Sequence, residues 1–158
     1  MDQEQLIEKI NRAFATVPVP AKDSITGCTC GECMEIRESF AGKQPEELEE
    51  KRMRFHSWDM GFFTPEARQY YLPGWMRLGL TLPTFAYADA VVEILKRDDG
   101  WEPVDGYTEN QKNSISEFLQ LIRIRNDDCY DSDFKVAWDR WVLQPEADLS
   151  EQESEASK

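Results

Sequence analysis

Three cysteines within six residues, Cys28-Thr-Cys30-Gly-Glu-Cys33, carry the densest chemistry in the chain. Thiols in a C-x-x-C spacing can converge on one ion because the turn between them points both sulfurs the same way, and a glycine such as Gly31 relieves strain in that turn. Outside an oxidising compartment, such clustering suggests metal or redox chemistry more than a structural disulfide. The single histidine, His56, is followed three residues later by Asp59. These residues suggest a tetrahedral zinc held by Cys30, Cys33 and His56, with Cys28 or Asp59 completing the set. Three thiolates and an imidazole would make a closed structural site; two thiolates, an imidazole and a carboxylate or water would leave an open, catalytic position. The plainer alternative is a few buried thiols and an exposed histidine that never meets them. A redox C-x-x-C is disfavoured, since no βαβ pattern surrounds it. Cys129, far downstream, reads as a small buried thiol of the core.

A metal would also have a structural task. Residues 17 to 60 hold few apolar positions per turn, and a structural zinc contributes on the order of 10 kcal/mol in small domains. It would tie the cysteine loop to the segment around His56.

The elements that must position these residues are helical. Leu6, Ile7, Ile10, Ala13, Phe14 and Val17 form an apolar stripe that the Val17-Pro-Val-Pro20 run ends. A helix is expected from about Gly31 to Ala41 with Gly42 as its stop, then a short acidic one from Pro45 whose Glu46 and Glu47 read as a solvated face. Thr64-Pro65-Glu66 is the sharpest helix start, with a kink or restart expected at Pro73. Further stripes run from Thr84 to Arg97, from Thr108-Glu-Asn-Gln111 in capping-box form through Ile115, Phe118, Leu119 and Ile122, and from Ser132 to Leu143. Asp127, Asp128, Asp131 and Asp133 lack the glycine and glutamate of a calcium loop, and one of them is expected to cap the last helix. No segment shows sustained alternation, and no repeat is visible. The fold class is therefore all-α: a single-domain bundle over residues 1–144 of about six or seven helices, zinc-stapled at 28–60, with residues 145–158 a disordered acidic tail.

Trp58, Phe62, Phe63, Tyr70, Tyr71 and Trp75 crowd into one stretch beside the expected metal site. Most are needed as core. Trp58, Tyr70, Tyr71 and Trp75 are the candidates for anchors on a protein partner.

Charge narrows the partner class. The 158 residues contain 18 Lys and Arg against 31 Asp and Glu, a formal net charge of −13. Phosphate contact needs clustered cations, so direct nucleic-acid binding is disfavoured, and an anionic membrane would repel the chain. The N-terminal residues show no basic and apolar signal pattern, and no charge-free run is long enough to span a bilayer. The chain reads as cytoplasmic.

Phe63-Thr-Pro-Glu-Ala67 followed by Tyr70-Tyr-Leu-Pro73 resembles the signature of a family of uncharacterised small bacterial helical proteins. Cys30 to Cys33, Phe40-Ala-Gly42-Lys43, His56 to Asp59 and the Thr108-to-Leu119 helix start also match that pattern, over most of residues 28 to 120. The resemblance implies a helical fold and a grouping of Cys30, Cys33 and His56; it implies no reaction.

No motif demands catalysis. A Ser-His-Asp or Cys-His mechanism would have to spend His56, and no glycine-rich phosphate loop is present. The leading expectation is an acidic protein-binding module, in its most concrete form an immunity or inhibitor protein covering a basic toxin or nuclease. The alternative is a zinc hydrolase with Cys30, Cys33 and His56 on the metal, water in the fourth position and Asp59 or Glu32 as general base.

Overall fold

The computed structural model describes residues 2–126 and 131–142. Seven α-helices are present there: α1 Gln3–Phe14, α2 Gly31–Phe40, α3 Glu50–Met53, α4 Pro65–Thr81, α5 Ala86–Leu95, α6 Glu109–Arg125 and α7 Ser132–Trp141. Among the described residues there are no strands, only an isolated antiparallel bridge between Thr26 and Phe63. Among the described residues no helix is long and apolar enough to cross a membrane. Expectations for Asp127, Asp128, Cys129 and the 145–158 tail lie outside the described residues.

The expected helix signals operate as side-chain chemistry. Thr64 Oγ1 accepts from the Ala67 amide with Pro65 in the first turn, and Thr108 and Gln111 close a reciprocal capping box on α6. Asp131 caps α7 by accepting from Phe134 N. Asp2 and Gln5 form a further capping box on α1. Gly42 takes φ +75° just past α2, a left-handed conformation in which a Cβ is strained.

α4 is the central post of the bundle. It packs against α1 and the 3₁₀ turn Pro45–Glu47 as well as α5, while α6 covers α1 and α7 covers α5 and α6. Its residues from Ala67 to Leu80 are buried apart from Gln69 and Arg77. Two glycines make this possible. A Cβ on Gly74 would lie 2.6 Å from Leu48 Cδ1 and 2.9 Å from Pro45 O, and one on Gly79 would lie 3.0 Å from the Ala88 amide nitrogen.

This burial corrects two expectations. α4 continues as one helix through Pro73, so it does not restart there. The ring removes one backbone bond, a loss of about 3 kcal/mol, but packing against α1, α5 and the Pro45–Glu47 turn holds the helix together. Tyr70, Tyr71 and Trp75 are 8%, 0% and 0% exposed, so they are core and not surface anchors. Of the four proposed anchors only Trp58, at 56% exposed, faces solvent.

Candidate metal centre

The loop carrying the cysteines is held from two directions. Toward α4, Thr26 bridges Phe63, Thr64 N donates to Ile25 O at 2.9 Å and Thr64 Oγ1 donates to Ser24 O at 2.6 Å. From α2, the Arg37 guanidinium donates to Thr26 Oγ1 at 2.8 Å, Thr26 O at 2.9 Å and Cys28 O at 3.0 Å. Arg37 therefore fixes the backbone at Cys28 from the helix that carries Cys33.

Cys30 is the N-cap residue of α2, and Cys33 sits one turn in, 1% exposed. The Sγ atoms of Cys28, Cys30 and Cys33 all lie within 4.8 Å of one another. Two sulfurs on a shared tetrahedral zinc, each at about 2.3 Å, are roughly 3.8 Å apart. The Cys28–Cys30 separation of 2.9 Å is shorter than that edge and longer than the ~2.0 Å of a disulfide, and a hydrogen bond in which one of the two thiols donates to the other sulfur spans it. Hydrogen bonds from Cys30 and Cys33 hold the Cys28 thiol below its ordinary pKa. Hydrogen bonding with Cys28, together with burial, pushes Cys33 up to about 11. A cation binding all three must displace their protons, so its affinity rises with pH. The positive N-terminal end of α2 favours the resulting thiolates.

His56 and Asp59 are not in this group of sulfurs. They pair with each other, His56 Nδ1 to Asp59 Oδ2 at 2.5 Å, and the His56 ring lies edge-on to Phe40 with centroids 5.4 Å apart. His56, expected among the ligands, and Asp59, expected as the alternative to Cys28, are thus paired with each other, and the cysteine loop is joined to the start of α4 by the Thr26–Phe63 bridge and the two Thr64 hydrogen bonds.

Beside the sulfurs lies a groove of about 430 Å³ lined by Cys28 and Cys33 together with Phe62, Phe63, Arg68 and Trp101. Phe62 and Trp101 are 41% and 45% exposed. The guanidinium carbons of Arg68 and Arg97 lie 4.9 and 4.2 Å from the Trp101 ring centroid, which fixes the indole by cation–π attraction. Sequence reasoning passed over Arg68 and Trp101 because Asp98-Asp99-Gly100-Trp101 reads as an ordinary turn. One signal was present: Arg68 stands three residues before Tyr71 and seven before Trp75, a charge set into an apolar stripe.

The described residues thus provide a preformed soft-ligand cluster opening on an aromatic groove. No protein family, no curated protein and no solved structure matches this chain, so its chemistry rests on these side chains.

Proposed function

We propose that the protein is a zinc-binding helical module that docks another protein on the groove beside the metal. The observation that carries this reading is the convergence of Cys28, Cys30 and Cys33 Sγ within 4.8 Å at the start of α2. Zinc suits a thiolate set of this kind, and its fourth position is left for a donor outside the trio. Protein purified without chelators is expected to carry one zinc per chain, with three sulfurs and one nitrogen or oxygen by X-ray absorption. Cys33→Ser is expected to lose most of it. Metal-free protein, or a Cys33→Ser variant with full occupancy, would remove the basis of the reading.

The docking half draws on the exposed rings of Phe62 and Trp101 at the groove and of Trp58 nearby in the chain. Aromatic anchors of this type dominate binding energy at interfaces. The net charge of −13 favours a basic partner, such as a toxin or nuclease that an immunity or inhibitor protein would cover. A basic protein from the host is expected to be retained at low salt and released by Trp101→Ala. Retention unchanged by that substitution, or no basic protein retained at all, would count against it. Hydrolysis finds less support, because the groove lining supplies an arginine and aromatic faces but neither Asp59 nor Glu32 as a base.

A further inference from the structure

The other end of α2 borders a second, half-open cavity of about 330 Å³, lined by residues of α2, Lys43, Glu47, Leu48, α3, Phe55 and His56. Its volume is within the usual range of small-ligand sites. Phe40, Leu48 and Met53 form a buried apolar floor, and Phe55, 76% exposed, stands at its edge. Lys43, Lys51 and Arg52 also line it. None of these three has an acidic partner among the described residues, although Lys9, Lys22, Lys96, Lys112 and Lys135 all do. The two acids on the lining are already engaged. Glu38 accepts from Lys22, and Glu47 accepts from the Gln44 amide at 2.6 Å. In a chain with 31 acids against 18 bases, three unpaired cations on one cavity run against the composition.

His56 adds an oriented group. Its Nδ1 is held by Asp59, and Nε2 has no partner. Among the described residues the buried side-chain polar atom left without a partner is Glu117 Oε2, so His56 Nε2 is open to solvent and able to share a proton with a ligand oxygen. Guanidinium and ammonium groups around such a position match a phosphate dianion, while the rings match a planar apolar body.

We propose that this cavity binds a small phosphate monoester carrying an aromatic group, with the phosphate met by Lys43, Lys51, Arg52 and His56 and the ring lying against Phe55 and Met53. The site is separate from the sulfurs and does not depend on zinc.

Because His56 is the only histidine, its imidazole resonances report on this cavity alone. Phenyl phosphate titrated into the full chain at fixed pH and ionic strength is expected to shift them saturably. Lys51 and Arg52 are exposed, so replacing them should preserve the fold, to be checked by circular dichroism. The Lys51→Ala/Arg52→Ala variant is expected to bind at least about tenfold more weakly, since a hydrogen bond to a charged group contributes about 1.5–3 kcal/mol. Phe55→Ser is expected to retain phosphate binding and lose the preference for phenyl phosphate over inorganic phosphate. No saturable shift, an unchanged affinity in the double variant, or inorganic phosphate binding as tightly as phenyl phosphate to the unaltered chain would overturn the proposal.

Discussion

Arg68→Ala is expected to lower the stability of the fold by about 3–5 kcal/mol, the usual result of removing one partner of a buried ion pair. Arg68 and Glu102 are 2% and 1% exposed, and Arg68 Nε meets Glu102 Oε2 at 2.6 Å. The remaining guanidinium nitrogens donate to Phe63 O at 2.5 Å and Trp101 O at 2.6 Å. The second oxygen of Glu102 accepts from the Tyr107 hydroxyl, whose pKa is driven well above its ordinary value by burial and then by the Glu102 charge. Truncating Arg68 leaves that carboxylate buried without its cation and frees two carbonyls. Against a typical total of about 5–15 kcal/mol, the loss is large. The urea midpoint should fall by roughly 1.5–2.5 M for a slope of about 2 kcal/mol/M. The Arg68→Met/Glu102→Leu double variant should recover much of the loss, because the penalty is the uncompensated charge rather than the pair's net worth. A single variant costing under about 1 kcal/mol, or a double variant no better than the single, would show that the network is not a buried pair in the energetic sense. Arg68 also stacks on Trp101, so the single variant should loosen the wall of the cysteine groove.

Buried ion pairs of this kind are where reading a sequence reaches its limit. Local signals carried through: Thr64, Thr108 and Asp131 cap the helices they precede, and Gly42 ends α2 with a positive φ. Their physics acts within four residues, which a linear sequence displays. The cysteine trio was legible for the same reason, since Cys28, Cys30 and Cys33 share one loop and one helical turn. The expected inclusion of His56 was a tertiary statement, and spacing along the chain could not show that Asp59 and Phe40 would occupy its ring. The same holds for Tyr70, Tyr71 and Trp75. A helix apolar on nearly every face gives little periodic hint of which side is outward, because only Gln69 and Arg77 interrupt the burial from Ala67 to Leu80. Pro73 was legible as a helix breaker only in the sense of intrinsic propensity. In α4 the close packing of Gly74 against Leu48 and Pro45 holds the helix immediately after the ring.

Trp75→Ala is expected to cost about 3–5 kcal/mol as a large-to-small change in a packed core, and to disturb both sites at once. The indole is fully buried and stacks on Phe40, with ring centroids 5.6 Å apart and an interplanar angle of 22°; it meets Phe63 edge-on at 5.7 Å. Its Nε1 donates to Ser57 O at 2.8 Å. Phe40 lines the cationic cavity, Phe63 lines the cysteine groove and Ser57 follows His56, so this one ring supports the walls of both. Trp75→Phe separates the two contributions. It keeps most of the aromatic volume but leaves Ser57 O without its donor, a loss of about 1–3 kcal/mol if that carbonyl stays dry. Urea unfolding followed by circular dichroism should therefore rank the unaltered chain above Trp75→Phe and Trp75→Ala last. The His56 imidazole resonance should move in Trp75→Phe, because the Ser57 carbonyl that positions its turn is released while the stack on Phe40 survives. Two variants of equal stability would mean that the hydrogen bond to Ser57, and not the ring, holds this region. A His56 resonance unmoved in Trp75→Phe would mean instead that Asp59 and Phe40 alone set the orientation of the imidazole.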